Sequence, residues 1–282
     1  MKLISTIKEL KDTLTAVRHS NGSIGLVPTM GALHEGHLSL VNKSVEMCDF
    51  TVVTIFVNPT QFNNAFDLEK YPKTLNKDFK LLSTTGCDIV FAPSSEEMYP
   101  DKTSLPQLDL GPIENILEGK QRPGHFQGVG TIVHKFFGIV QPDYAFFGQK
   151  DLQQYFIIKN IIHAQKLPIN LIQVPIIRES SGLAMSSRNS RLNADERSNA
   201  GIIFNSLQTA KEALLNGIPI ERVKKSVITL FNEQNGMNLE YFELVETAHF
   251  SNVNTLDYDE LALCIAVNVG EIRLIDNLLL FS

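Results

Sequence analysis

The sequence predicts an α/β fold, a doubly wound parallel sheet with helices on both faces over residues 1–179, followed by a smaller C-terminal α+β domain over residues 180–282. Three observations carry this. Short apolar runs rich in β-branched residues alternate with longer amphipathic segments through the first part of the chain, as a parallel sheet with crossover helices requires. After about residue 190 the texture changes to two helical segments followed by three strand-like runs. The polar loops after residues 28, 57, 147 and 177 follow predicted strands, and carboxyl ends of strands are where ligands bind in open α/β sheets.

The elements follow in order. "MKLISTIKELKD" reads as a strand and a helix, not as a signal peptide. "SIGLVPT" is a strand, and "HLSLVNKSVEMC" is a helix because Leu38, Val41, Val45 and Cys48 share one face. "FTVVTIFVN" is apolar for most of its length, which suits a central parallel strand buried on both faces. A helix near 74–85, the strand "CDIVFAP" ended by Pro93 and a helix near 126–140 continue the series. The strand "DYAFFG", the helix "DLQQYFIIKNIIHAQ" and the strand "NLIQVPII" complete it. Beyond the linking segment "RESSGLAMSSRNSR", "NADERSNAGIIFNSLQTAKEALLNG" and "PIERVKKSVITLFNEQ" read as two helices separated by Gly217 and Pro219. "LEYFELVET", "LALCIAVNV" and "RLIDNLLLF" are the strands of a small sheet.

Composition narrows the function classes. A formal charge of −6 gives no global attraction to nucleic acid, so no nucleic-acid partner is expected. No apolar run approaches the roughly 20 residues that span a bilayer, so no membrane partner is expected either. Cys48, Cys87 and Cys264 lie far apart with no CxxC pair, and read as reduced, small apolar residues of a cytoplasmic protein.

Two segments carry the chemistry. In "TMGALHEGHLSL", residues 29–40, His34 and His37 stand one turn apart at a predicted helix start. Free backbone N–H groups and the helix dipole favour an anion there, and Gly31 and Gly36 let a ligand approach the backbone. Partly exposed loop histidines remain a second reading. A metal pair is a third, although helical metal pairs prefer the i, i+4 spacing and no cysteine or third histidine is near in sequence. In "GLAMSSRNSRL", residues 182–192, two serine hydroxyls with Arg188 and Arg191 form a polar loop that, alone, reads as solvated surface.

Together the two segments resemble the HIGH and KMSKS signatures of the adenylate-forming nucleotidyltransferases, a superfamily that includes class I aminoacyl-tRNA synthetases. Here "MSSR" departs from the second signature by an arginine in place of the last lysine. "VPTMGALHEGH", "IFVNPTQF", "LEGKQRPGHFQGV", "FFGQKDLQQ" and "RESSGLAMSSRN" then occur in order, and with them the chain resembles the pantoate–β-alanine ligase family along essentially its whole length. Another small adenylyltransferase would share HxGH but lack "PTQF" and "QKDLQQ". A tRNA-charging enzyme would need an anticodon-binding domain, and a non-catalytic nucleotide sensor would need neither histidine.

The resemblance implies a Rossmann-like domain for ATP and pantoate over 1–179 and a lid domain carrying the MSSR loop over 180–282. It implies ATP-dependent joining of (R)-pantoate to β-alanine through a pantoyl adenylate, with ATP as a substrate and Mg²⁺ bridging its phosphates, most of the ion's ligands being phosphate and water and no protein ligand being named. The implied catalytic residues are His37, His34, Lys150 and Arg188. ATP binding is implied for Met30, Gly31, Ala32, Leu33, His34, Glu35, Gly36 and His37, for Gly148, Gln149, Lys150 and Asp151, for Ile177, and for Met185, Ser186, Ser187 and Arg188. Gln61 and Gln154 correspond to the family's pantoate-binding glutamines, with Met30 and Phe62 as an apolar wall. Asn58 either fixes the loop after the second strand or touches pantoate. Glu118, Arg122 and His125 either line the β-alanine pocket or are structural, with Arg122 pairing Glu118 at i, i+4. A cytoplasmic homodimer joined through the N-terminal domain is expected, with "FTVVTIFVN" contributing. Two departures stand out: "FNNAFDLEKYP" lacks the glycine and the acidic residue family members often show before "DL", and Lys77 and Leu81 occupy positions where some relatives place polar residues near a cation.

Overall fold

The structure, a computed structural model, describes residues 1–63, 68–100 and 107–281. Residues 64–67 of the "FNNAFDLEKYP" segment therefore lie outside the described residues. The chain forms two compact units, one of residues 1–148 and 154–174, the other of residues 149–153 and 175–282. The turn after the fifth strand thus groups with the C-terminal unit, which the single cut after residue 179 read from the sequence does not convey.

The first unit is built on a six-stranded sheet of β1 (Lys2–Ile4), β2 (Ile24–Thr29), β3 (Phe50–Ile55), β4 (Ile89–Phe91), β5 (Tyr144–Gly148) and β6 (Asn170–Val174), in the order β1-β4-β3-β2-β5-β6. Every pairing is parallel. Its principal helices are α1 (Ile7–His19), α2 (Glu35–Met47), α3 (Leu75–Leu82), α6 (His125–Val140) and α7 (Leu152–Ala164), with the short α4 (Ser95–Met98) and α5 (Leu117–Gln121) between α3 and α6. Side chains alternate across the sheet. Val27, Val53, Val90 and Phe146 face Leu38 and Val41 of α2 in one buried cluster. Leu26, Val52, Ile89 and Phe91, one residue out of step, are equally buried, and Phe136 of α6 meets Phe91 edge-on at 6.3 Å. Both faces of the central strands are covered, so β2, β3 and β4 are buried along nearly their whole length.

The chain runs from β2 outward through β3 to β4, then returns to lay β5 and β6 on the other side of β2. The switch point is therefore between β2 and β5, where the connections leave in opposite directions and open a crevice. The register shows the opening. β2 pairs with β3 from Ile24↔Phe50 to Thr29↔Ile55, but with β5 only at Gly25↔Tyr144 and Leu26↔Ala145. Pro28 is tolerated in this central strand for the same reason. Thr29 exchanges its bonds with the β3 side, through Thr54 and Phe56, so the preceding residue points its missing N–H to the β5 side, where the ladder has already ended.

The second unit carries an antiparallel sheet in the order β10-β9-β7-β8, from β7 (Met237–Glu246), β8 (Ser251–Asn252), β9 (Leu261–Val269) and β10 (Ile272–Leu279). Alternate residues Leu261, Leu263, Ile265, Val267 and Val269 join a core with Ile203, Leu207, Ala210 and Leu214 of α9 (Ile202–Leu215) and Val223, Val227 and Phe231 of α10 (Ile220–Asn232). Those helical spacings of three and four are what the sequence displayed. One expectation is corrected. The segment from Asn193 to Gly217 is not one helix but α8 (Ala194–Asn199) and α9, broken at Ala200–Gly201. A Cβ on Gly201 would lie 2.3 Å from the Ser181 carbonyl oxygen, so the break lets the backbone of the Arg178–Arg191 segment pass close.

Burial pushes the Cys48 thiol up to about 11 and the Cys87 thiol up to about 12. Raised thiol pKa values mean less thiolate at a given pH. Iodoacetamide at pH 8 is therefore expected to alkylate these two cysteines of the native protein at least about a hundredfold more slowly than free cysteine, and at the free rate in denaturant. Mass mapping of the modified peptides measures this.

Candidate active site

The joint between β2 and α2 is a chain reversal with little room. Gly31 and Ala32 both take positive φ, +83° and +50°. For an alanine the left-handed region costs about 1 kcal/mol, so something must hold it. The holder is Asp78 on α3, a buried carboxylate. It accepts the Ala32 N–H at 3.0 Å through one oxygen and the Leu33 N–H at 2.9 Å through the other, with the Thr74 hydroxyl also bound at 3.0 Å. A Cβ on Gly31 would come within 3.1 Å of that carboxylate and of the Ile55 side chain, a tight fit at a φ that already favours glycine.

The two histidines close the turn. His34 is the N-cap of α2, and its Nδ1 accepts the Gly36 N–H at 3.2 Å. The Nδ1 of His37 accepts the His34 N–H at 3.3 Å, so imidazoles play the reciprocal parts usually taken by Ser or Thr and by Glu or Gln in a capping box. A neutral imidazole whose Nδ1 accepts carries its hydrogen on Nε2. Both rings, 4.1 Å apart between centroids and inclined by 48°, are thereby set as Nε2–H donors. This alters the expectation drawn from the sequence. The N–H groups of Ala32, Leu33, His34 and Gly36 are taken by side chains, and the donors that these bonds orient are the imidazole Nε2–H groups.

Asn58, Gln61 and α6 form a second constellation in the same unit. Asn58 is wholly buried. Its Nδ2 donates to the Gly128 carbonyl at 3.0 Å and the Gln61 Oε1 at 3.3 Å, while its Oδ1 accepts from the Tyr99 hydroxyl at 2.8 Å and the Thr60 hydroxyl at 3.1 Å. Of the two roles open to Asn58, the geometry supplies the fixing of the loop. Gln61 in turn places its Nε2 2.7 Å from the Met30 sulfur. Arg122 and His125 also reach this place. Arg122 can only donate, so its contact of 3.1 Å makes the His125 Nε2 an acceptor, and the His125 Nδ1–H donates to the Gln61 carbonyl at 2.8 Å. A Cβ on Gly128 would sit 2.4 Å from the Thr60 carbonyl oxygen, which explains the glycine where α6 crosses the Pro59–Gln61 turn. Phe62 meets Tyr71 edge-on at 5.7 Å, and Gln154 is half-buried near the start of α7.

In the second unit, the chain from Ile177 to Met185 folds back on itself, with Glu179 N–H to Leu183 O at 2.8 Å and Met185 N–H to Ile177 O at 2.9 Å. Gly182 turns at φ +90°. Arg178 forms a two-pronged pair with Asp276 at 2.6 and 3.0 Å and stacks on Phe204 at 3.6 Å. Burial pushes the Asp276 carboxyl up, and the Arg178 guanidinium opposes that rise. Glu179 accepts from Asn189 at 2.8 Å and from Arg197 at 2.7 and 2.9 Å. Ser186 caps the 3₁₀ turn Ser187–Arg191 by accepting the Arg188 N–H at 3.2 Å. Lys150 lies in the 3₁₀ turn Gln149–Asp151, its ammonium 4.0 Å from Asp151. Ile177, Met185, Ser186, Ser187 and Arg188 thus share a unit with Gln149, Lys150 and Asp151, while Met30 to His37, Asn58, Gln61, Gly148 and Gln154 belong to the first unit.

Residues 2–279 match the family described as pantoate-beta-alanine ligase. The chain belongs to that family. A pantothenate synthetase of Bacteroides thetaiotaomicron is 46% identical over 280 residues, covering 99% of this chain and 98% of the relative. The crystal structure of pantothenate synthetase from Thermus thermophilus superposes with a TM-score of 0.93 at 35% identity and covers all of both chains. A pantoate-beta-alanine ligase from Francisella tularensis, complexed with beta-gamma ATP and beta-alanine, gives a TM-score of 0.79 at 35% identity, covering 99% of this chain and 98% of its own. The parallel sheet with a small antiparallel C-terminal sheet is therefore the architecture of pantoate–β-alanine ligases.

Asp78 is the residue that sequence reading missed. Its signal was a carboxylate one turn before Leu82 on the buried face of α3. Asp78→Asn turns one acceptor into a donor facing a backbone N–H, and is expected to lower unfolding free energy by about 2 kcal/mol. Urea titration with an unchanged m-value checks this.

Proposed function

We propose that the protein condenses (R)-pantoate with β-alanine in two steps at the expense of ATP, releasing AMP and pyrophosphate, for the synthesis of pantothenate. Membership of the pantoate–β-alanine ligase family over residues 2–279 is the observation that carries this. In the first step a pantoate carboxylate oxygen forms a bond to the α-phosphorus, and the bond from that phosphorus to the pyrophosphate oxygen breaks. In the second, the β-alanine amine adds to the acyl carbon, the acyl–oxygen bond to AMP breaks, and the amine sheds its proton. ATP is a substrate, as in the ATP-complexed family member.

Each residue set has a part in this reading. The first step accumulates negative charge on the α-phosphate and on the leaving pyrophosphate, and fixed donors are the main catalytic means against such charge. His34 and His37 meet that need as Nε2–H donors whose orientation their Nδ1 bonds already hold, without reorganisation during the reaction. Lys150 adds a point charge and Arg188 a planar one for the β- and γ-phosphates, with Ser186 and Ser187 as hydroxyl donors. Gln61 and Gln154 offer amides to the pantoate carboxylate and hydroxyls, and Met30 offers an apolar face to the gem-dimethyl group. Asn58, Arg122 and His125 act through Gln61, holding its side chain and its carbonyl. Mg²⁺ enters with ATP as part of the substrate, its ligands phosphate oxygens and water. Among the described residues no group of three or more His, Cys, Asp or Glu side chains is gathered as a metal cage. The proposal extends to a homodimeric, cytoplasmic enzyme, and no helix among the described residues is long and apolar enough to cross a membrane.

Exchange of labelled pyrophosphate into ATP separates this chemistry from its rivals. With protein, ATP, Mg²⁺ and pantoate but no β-alanine, label is expected in ATP, and omission of pantoate is expected to abolish it. Formation of ADP and phosphate would contradict the acyl-adenylate route. His37→Ala is expected to lower the exchange rate by about 10²- to 10³-fold with the fold retained by circular dichroism. Activity within a few fold of wild type would exclude a charge-stabilising role for His37.

A further inference from the structure

β10 carries two buried polar residues side by side near its end, Asp276 and Asn277. The Asn277 Nδ2 donates to two successive carbonyls of the 3₁₀ turn, Gln149 O at 2.9 Å and Lys150 O at 3.0 Å. Its Oδ1 accepts from the Gln149 Nε2 at 3.1 Å, so both ends of one amide grip one turn. Asp276 steadies the backbone of Asn277. Its Oδ1 accepts the Asn277 N–H at 2.8 Å, and its two oxygens hold Arg178. Arg178 donates onward to the Gly182 carbonyl at 3.1 Å, inside the segment that leads to Met185 and Ser186.

The 3₁₀ turn is a short connector between the end of β5 at Gly148 and the start of α7 at Leu152. Among the described residues Asn277 is the side chain that binds the backbone of Lys150. We infer that Asn277 is a positioning residue for Lys150, and that Asp276 and Arg178 hold Asn277 so that the end of β10 sets where the Lys150 ammonium stands. The inference rests on the reading of Lys150 as a phosphate-binding group. It makes a C-terminal strand, more than a hundred residues further along the chain than the GQKD segment, a determinant of the adenylation step.

A double-mutant cycle on pantoate-dependent pyrophosphate exchange tests it, with Lys150→Ala, Asn277→Ala and both together, each checked for folding by its thermal midpoint. Lys150→Ala is expected to lower exchange by about a hundredfold and Asn277→Ala by about tenfold, with the KM for pantoate within about twofold of wild type. On the Lys150→Ala background the second substitution is expected to cost less than about twofold, because the group it positions is gone. A merely structural Asn277 would give the same tenfold loss on both backgrounds, and that result overturns the inference while leaving Lys150 in its role. Asn277→Ala indistinguishable from wild type overturns it equally. Lys150→Ala within a few fold of wild type would remove the phosphate-binding role of Lys150 and this inference with it. If Asn277→Ala does not fold, Asn277→Ser, which leaves room for a water, enters the same cycle under the same criteria.

Discussion

A parallel strand that ends in a turn leaves backbone N–H groups with no ladder to enter, and the fate of those groups at the joint between β2 and α2 governs the rest of the site. Thr29 takes the N–H of Gly31, Asp78 those of Ala32 and Leu33, His37 that of His34, and His34 that of Gly36. Buried donors left unpaired would cost about 1–3 kcal/mol each, so the turn is held by several bonds at once. The strained φ of Ala32 persists because of them. The consequence for chemistry is indirect. Two imidazoles are consumed as acceptors on one edge and so defined as donors on the other, and an orientation fixed before substrate arrives needs no reorganisation in the transition state.

The same pattern recurs through both units, with the side chains proposed for catalysis standing on backbone that other polar residues have fixed. Gln61 depends on Asn58, which depends on Tyr99, Thr60 and Gly128, and its carbonyl is held by His125, whose other ring nitrogen is held by Arg122. In the second unit Glu179 ties Asn189 and Arg197 to the chain leading into the MSSR loop, and Asp276 does so for Arg178. Loss of one of these supporting residues would leave a donor less firmly placed. Positional error is sufficient to affect a reaction that relies on pre-set electrostatics.

Most of the fold was legible because periodicity reports burial. The run "FTVVTIFVN" announced a strand covered on both faces, and β3 lies between β2 and β4 with α2 and α6 on its sides. The segment "PIERVKKSVITLFNEQ", read as a helix, is α10, and its Val223, Val227 and Phe231 pack into the core of the second unit. What escaped was tertiary. The break at Gly201 depends on the Ser181 carbonyl passing close, which no local pattern encodes. Asp78 and Asn277 read as ordinary polar residues until the fold brings a turn's backbone against them. The family motifs pointed to His34, His37 and Lys150, but the tautomers of the histidines and the grip on the lysine's backbone come only from three-dimensional neighbours.

The central claim is that His34 and His37 are held as Nε2–H donors by backbone N–H groups at Nδ1. Nitrogen-15 NMR of the protein labelled at its seven histidines reads this directly, with His34→Ala and His37→Ala spectra assigning the two rings. At a pH where both rings are neutral, each is predicted to show a protonated, pyrrole-type Nε2 and an unprotonated, pyridine-type Nδ1. A proton on Nδ1 of either ring, or rapid exchange between tautomers in the folded protein, would contradict it.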